Sequence, residues 1–177
     1  MKVKHVILAL AFTVVSSAAA FAQRFAYVDS EYILEHIPEY VSAQKQLDAL
    51  SLQWQEEVDS RFAAIEKLYQ AYQQDQVVLS EEMRRRREDE IVNKEKEVKD
   101  YQREKFGFEG DLYKERVRLI QPIQDRVSKA IQALAESQNL DMILDKTSEV
   151  MMLYVNPKLD RSDEVITRLG YKPDASK

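Results

Sequence analysis

The fold is decided by residues 39–106, EYVSAQKQLDALSLQWQEEVDSRFAAIEKLYQAYQQDQVVLSEEMRRRREDEIVNKEKEVKDYQREKF, which run for 68 positions without a glycine or proline. Good helix formers dominate this stretch. A seven-residue spacing runs through its first half and restarts in a new phase in the second. In the first half the positions are Leu47, Trp54, Arg61 and Leu68, each followed four residues later by Ser51, Val58, Ile65 and Tyr72. In the second phase they are Ile91, Val98, Lys105, Leu112 and Leu119. The change of phase favours two paired helices over one rod.

The pattern lapses between the two halves, at DQVVLS, residues 75–80. Ser80 is suited to cap a new helix, and Glu81 and Glu82 follow where the helix dipole favours carboxylates. We therefore expect a helical hairpin over residues 39–118 with its tip near 76–80 and arms of about 57 Å. Since Ser51, Arg61 and Lys105 interrupt the apolar seam, we expect the arm to be slender and flexible.

The first 22 residues have the features of an export signal. Lys2 and Lys4 precede an apolar run at residues 6–15, and Ala20-Phe21-Ala22 fits the small-x-small cleavage pattern. The run is shorter than the roughly 20 residues that a membrane-spanning helix needs. We expect cleavage after Ala22 and an exported, soluble chain that begins at Gln23.

Composition narrows the function classes. Without Lys2 and Lys4 the 26 basic residues become 24 against 31 acidic ones, so the processed chain has a formal net charge of −7. This disfavours a general nucleic-acid binder, which needs a basic surface. The absence of cysteine excludes disulfides and thiol chemistry, and 32% charged residues with three glycines and four prolines is typical of long helices.

The ends of the chain predict a small body. The segment 23–38 is predicted to hold a strand followed by a short helix. The strand is RFAYVD, residues 24–29, and the helix is ended by Pro38. Residues 119–171 are expected to complete the body, beginning with a helix that continues with a kink at Pro122. A β-hairpin follows at 141–145 and 150–155, with both strands buried on both faces. A short helix at 164–169 comes next, and residues 172–177 are a loose tail. The fold class is mainly α with a small β-sheet, α+β.

Three strands of about five residues are near the lower limit for a stable sheet. Apolar side chains and open strand edges would remain in water, so we expect self-association through the sheet.

Two interpretations of the run Arg84–Arg87 are open. We favour a solvated helix face paired with neighbouring acids, and the alternative is a cationic tip that meets anionic partners. Gly107 and Gly110 fall inside the helical pattern and mark a bend or a close backbone approach.

Several segments carry a resemblance to a known family. Phe25-Ala-Tyr-Val-Asp-Ser30 resembles the opening strand of the Skp/OmpH family of periplasmic chaperones. Residues 131–145 resemble its closing helix and strand, and residues 154–169 its C-terminal end. The resemblance implies a periplasmic homotrimer with a shared β-barrel, from which helical arms enclose a cavity for unfolded outer-membrane proteins, without ATP or cofactors. Anionic lipid or lipopolysaccharide is a further implied partner, and nucleic acid is not.

Two sets of candidate residues follow from this reading. The strands supply the candidate trimer interface: Phe25, Tyr27, Val28, Met142, Ile143, Leu144, Met151 and Leu153. The arm supplies candidate client-binding residues: Trp54, Tyr69, Tyr72, Arg84, Arg85, Arg86, Arg87, Tyr101, Phe106 and Phe108. The best-known members of the family are basic, whereas this chain is acidic, so its arginine run and aromatic residues replace overall charge as candidates for attracting clients.

Two other function classes share some of these features. A coiled-coil spacer of the cell envelope shares the export signal and the arms, but it needs attachment at both ends, and no lipid site or wall-binding motif is present in the sequence. An enzyme is disfavoured because the carboxylates lie at ordinary helix spacing with no apolar pocket to perturb them. His36, the one histidine after Gln23, has neither cysteine nor a second histidine nearby and is expected to be solvated or packed, with no catalytic and no metal site.

Export generates the first prediction. The small-x-small pattern behind a short apolar run predicts that the exported protein begins at Gln23. Intact mass and N-terminal sequencing of the exported chain check this. An exported form that retains the apolar residues 6–15 would contradict it.

Overall fold

The structure is a computed structural model that describes residues 24–148 and 153–174. In chain order its elements are β1 (Phe25–Val28), α1 (Ser30–Glu35), α2 (Pro38–Asp75), α3 (Glu81–Phe106), α4 (Asp111–Gln138), β2 (Met142–Asp145), a 3₁₀ turn (Pro157–Leu159) and α5 (Ser162–Arg168). Long helices with a small sheet confirm the predicted fold class. The chain divides into two compact units. We call residues 37–125 the arm, and the residues up to His36 together with those from Arg126 on the body.

The arm contains the helical hairpin α2–α3. Its core consists of Val58 and Ile65 from α2 and Ile91 and Val98 from α3, and four partly buried side chains pack against it: Leu68, Tyr72, Tyr101 and Phe106. All four core positions follow the seven-residue spacing of the sequence. The turn occupies residues 76–80, where that spacing lapses, and Ser80 caps α3 by accepting a hydrogen bond from the backbone N–H of Met83 at 3.3 Å.

The returning helix does not run on through the glycines. It ends at Phe106, and α4 begins at Asp111. A Cβ on Gly107 would lie 2.3 Å from the carbonyl oxygen of Arg103, and one on Gly110 would lie 2.8 Å from that of Glu104. The close backbone approach that the sequence suggested is therefore present, and it coincides with a complete helix break. Pro122, in contrast, lies inside α4, which continues through it as predicted.

The body holds a two-stranded parallel sheet. β1 and β2 pair in the register Phe25↔Met142 to Val28↔Asp145, and Tyr27 also forms a bridge with Asp160. Of the second strand predicted at 150–155, residues 150–152 lie outside the described residues, and Leu153 to Val155 are irregular. The expectation that strand 141–145 is buried on both faces is wrong. Met142 is exposed and the rest of β2 is half-buried, because β1 is the one strand neighbour of β2 among the residues that the structure describes.

A polar network joins the ends of the two strands to the neighbouring helices. Ser162, which is buried, accepts a hydrogen bond from the backbone N–H of Asp29 at 2.9 Å and donates one to Asp160 at 2.6 Å. Burial disfavours the charged form of Asp145, but hydrogen bonds from Ser30 and Thr147 outweigh it and hold its pKa below the ordinary value. These contacts orient α1 and α5 on the edge of the small sheet.

The seam of the arm predicts a contrast between two adjacent residues. Ile91 is 8% exposed in the core, whereas Val92 beside it is 62% exposed. We expect Ile91→Ala to lower the free energy of unfolding by about 2 kcal/mol or more, because it removes buried methyl groups and leaves a cavity. Val92→Ala should change it by less than about 0.5 kcal/mol. Urea denaturation followed by circular dichroism measures both, and equal effects would contradict this description of the seam.

Candidate functional site

The aromatic residues that the sequence nominates for client binding have two different positions. Tyr72, Tyr101 and Phe106 pack against the core of the hairpin. Trp54 meets Phe106 edge to face, with ring centroids 6.3 Å apart. These side chains therefore stabilise the arm itself. Tyr69 and Phe108 are exposed instead, and Phe108, in the break between α3 and α4, is 99% exposed.

Two cations fill positions where the apolar seam is interrupted. The guanidinium of Arg61 lies 4.2 Å from the ring centroid of Tyr101, and its Nε is 2.7 Å from Glu57. The Nζ atom of Lys105 lies 5.3 Å from the centroid of Trp54 and 5.4 Å from that of Tyr101. Such contacts stabilise by about 0.5–1 kcal/mol each at exposed sites. Arg61 and Lys105 interrupt the apolar seam, as the sequence indicates, and they also link α2 to α3.

Lys105 also connects α3 to α4 across the glycine break. Its Nζ is 2.6 Å from Asp111, the first residue of α4, and 2.8 Å from Glu104. The hydrogen bond with Asp111, followed by that with Glu104, raises the pKa of Lys105 well above its ordinary value. The same bond from Lys105 holds the pKa of Asp111 below its ordinary value, against a smaller opposing effect of burial. Both groups are therefore charged across the neutral pH range.

The arginine run is largely neutralised by its own helix. Arg85 pairs with Glu81 at 2.9 Å, Arg86 with Glu82 at 2.6 Å, and Arg87 with Glu90 at 3.2 Å, all exposed. Arg84 has no carboxylate oxygen within 4 Å among the residues that the structure describes. This arrangement is the solvated helix face that the sequence favoured. Exposed pairs of this kind contribute about 0–1 kcal/mol each, so they order the surface more than they stabilise it.

The candidate interface residues of the body also divide. Phe25, Met142 and Leu153 are exposed, and Phe25 and Met142 are neighbours across the sheet. Tyr27 and Val28 are buried within the chain's own core. Ile143 and Leu144 are half-buried, and Met151 lies outside the described residues. The exposed members are the ones that a second copy of the chain can reach.

Several exposed apolar residues were not among the candidates predicted from the sequence, and they include Leu52, Phe62, Val77, Val78, Tyr113 and Tyr154. Leu52 and Phe62 follow a three- and four-residue spacing beside the seam of α2, and this spacing is the sequence signal that predicts them.

His36 packs on the ring of Tyr32, with ring centroids 4.3 Å apart, and its Nε2 lies 3.4 Å from Asp174. Within residues 24–148 and 153–174, no group of three or more His, Cys, Asp or Glu side chains is placed to hold a metal ion.

Comparison with known proteins gives the family. A sequence profile described as "Outer membrane protein (OmpH-like)" matches residues 24–169. The chain belongs to the OmpH-like family. Membership confirms the resemblance seen in the strand and in the C-terminal segments, and it supports a chaperone role for the chain.

A solved structure agrees with this OmpH-like assignment at the level of the fold. It is the crystal structure of an OmpH-like protein from Caulobacter crescentus, a candidate outer membrane chaperone, with 14% identity and a TM-score of 0.64. The match covers 84% of each chain. No curated protein sequence matches the chain. Among the described helices of this OmpH-like protein, none is both long and apolar enough to cross a membrane.

The bond between Lys105 and Asp111 predicts a pH-dependent contribution to stability. A carboxylate whose pKa is lowered by folding stabilises the native state above its unfolded pKa, and the contribution is lost as pH falls through the folded pKa. Asp111→Asn should therefore lower the melting temperature at pH 7, and the difference from wild type should shrink as pH falls below 3.8, the ordinary value. Thermal unfolding followed by circular dichroism at several pH values measures this.

The control is Asp100→Asn, which removes an exposed pair with Arg103 on α3. It should have a small effect at every pH, because exposed pairs contribute little. A difference for Asp111→Asn that stays constant from pH 7 to below pH 3 would contradict an ionic role for Asp111.

Proposed function

We propose that this chain is a periplasmic holdase that binds unfolded outer-membrane proteins without ATP, in a cavity between the arms of a homotrimer. One observation carries the proposal: an OmpH-like chain combines a slender helical arm with apolar side chains exposed on a sheet that has two strands among the described residues. A chain that is stable as a monomer would cover the apolar side chains and the edges of such a small sheet.

The exposed side of the sheet supports assembly of several copies. Phe25 and Met142 present their side chains side by side, and Leu153 adds a third exposed apolar residue in the same unit. Burying such residues contributes about 25 cal/mol per Å² of apolar surface removed from water. Assembly through the sheet would also pair the edge of β2 that has no strand neighbour among the described residues. Three copies are the number that the family resemblance implies.

The arm supports reversible holding. A holdase that uses no nucleotide must bind apolar segments weakly at each point, so that release needs no energy input. Several weak contacts spread over linked arms give a high overall avidity, because every contact after the first is intramolecular. Leu52, Phe62, Tyr69 and Phe108 are exposed apolar groups of the arm that can make such contacts.

A light-scattering assay tests the proposal. An unfolded outer-membrane β-barrel protein is diluted from urea into buffer without nucleotide, with and without the processed chain. We expect the chain to suppress aggregation. Phe25→Asp combined with Met142→Asp should yield a mostly helical monomer by sedimentation and circular dichroism, with suppression lost, because a buried unpaired charge opposes assembly.

Met83→Asp combined with Val92→Asp is the matched control, since it places the same two charges on exposed apolar sites of the arm. It should remain a trimer and keep its activity. A wild-type chain that does not suppress aggregation would refute the holdase. A monomeric variant that suppresses aggregation at full strength would refute the enclosed cavity.

A further inference from the structure

A row of residues, all exposed except the half-buried Gln44, runs along α2 beside the hairpin seam. Its positions are three or four residues apart, so they share one face of the helix. We call this the α2 row, and its members are Val41, Gln44, Asp48, Leu52, Gln55, Asp59, Phe62, Glu66, Tyr69 and Gln73. Three large apolar side chains stand out in it: Leu52 is 62% exposed, Phe62 40% and Tyr69 46%.

The α2 row contains no lysine or arginine. Its carboxylates accept hydrogen bonds from neighbouring glutamines instead: Gln44 donates to Asp48 at 2.9 Å, Gln55 to Asp59 at 2.8 Å, and Gln70 to Glu66 at 2.9 Å. Among the described residues, none of these three carboxylates has a cationic nitrogen within 4 Å. These carboxylates therefore have no direct ion-pair partner in the described chain.

The opposite helix of the hairpin is different. On α3, ion pairs follow one another along the surface: Arg85–Glu81, Arg86–Glu82, Arg87–Glu90, Lys94–Glu97, Lys99–Glu95 and Arg103–Asp100. On α2 one cation, Arg61, pairs with a carboxylate in the described chain, and it lies over Tyr101 of the seam. The arm thus has one helix with neutralised charge and one with an acidic, apolar row.

We propose that the α2 row binds unfolded polypeptide segments that carry lysine or arginine between their apolar residues. This rests on the holdase function and specifies the chemistry of its clients. The acidic groups exclude an anionic lipid surface as the preferred occupant, because like charges repel. A polypeptide with the opposite charge pattern satisfies the apolar anchors and the carboxylates together.

The spacing of the anchors fits an extended chain. Along a helix that rises 1.5 Å per residue, Leu52 and Phe62 are about 15 Å apart and Phe62 and Tyr69 about 10 Å. An extended strand rises about 3.3 Å per residue, so a segment of roughly eight residues spans all three. Asp59 and Glu66 lie between the anchors, where the basic residues of the segment would meet them.

The test uses two fluorescent peptides of the same length and the same apolar residues, one with lysine and one with glutamate at the intervening positions. Binding to the full processed chain is measured by fluorescence anisotropy at low and moderate salt. We expect the lysine peptide to bind about tenfold more tightly at low salt, with a smaller ratio as salt screens the charges. Equal affinity, or tighter binding of the glutamate peptide, would overturn the proposal.

Two double variants assign the effect to the row. Asp59→Asn with Glu66→Gln should bring the affinity ratio close to one. Its control, Glu56→Gln with Asp89→Asn, makes the same change in net charge at exposed carboxylates outside the row and should keep the ratio. If both variants lose the ratio equally, overall charge is responsible and the proposal fails.

The double variant Phe62→Gln with Tyr69→Gln tests the apolar anchors, and it should weaken the binding of both peptides severalfold. Its control is Met83→Gln with Val92→Gln on α3, which should leave the binding of both peptides unchanged. If the anchor variant instead changes the sedimentation of the protein and leaves peptide affinity intact, the row is a contact between copies and the proposal is wrong. Suppression of aggregation without any charge preference would leave the holdase standing and refute this inference alone.

Discussion

The contact between α2 and α3 is the interaction on which the arm depends. Helices of 38 and 26 residues meet through a core with four buried residues, Val58, Ile65, Ile91 and Val98. Helix propensity alone leaves isolated helices marginal in water, so most of their stability comes from packing. A seam this narrow holds the hairpin together and leaves most of the surface of both helices free. Exposed apolar groups and charges can therefore serve other contacts.

The far end of the hairpin from its tip needs additional contacts, because the chain breaks there at Gly107 and Gly110. Cation–π contacts from Arg61 and Lys105 and the bond from Lys105 to Asp111 lie close to this break. They link α2, α3 and α4 through charged side chains. Lysine fits this role because its long apolar stem packs along aromatic rings while its ammonium reaches the carboxylates. One residue thus meets both the packing and the ionic requirement.

The sequence predicted the helices well and the sheet in part. The seven-residue spacing identified the core of the hairpin, and Ser80 with two acidic residues identified the start of α3, because these signals depend on neighbouring residues. The role of Lys105 was missed, since its link to α2 depends on the ring of Trp54, which lies far away in the chain. Among the client-binding candidates, Tyr72, Tyr101 and Phe106 pack against the core of the hairpin, whereas Tyr69 and Phe108 are exposed. The pairing of β1 with β2 is likewise a long-range contact that local patterns do not encode.

The uneven charge of the arm bears on how an acidic chaperone can hold its clients. A bare basic surface would bind any anionic polymer with an affinity that falls steeply with salt. Here the ion pairs of α3 remove that general attraction, and the acidic row of α2 confines charge to positions between apolar anchors. Each exposed ion pair contributes little free energy. Each apolar anchor, about 10–15 Å from the next, buries only a small apolar area against a client. On the proposed holdase function, each contact would be weak and reversible, and the strength of holding would depend on how many contacts a flexible client makes at once.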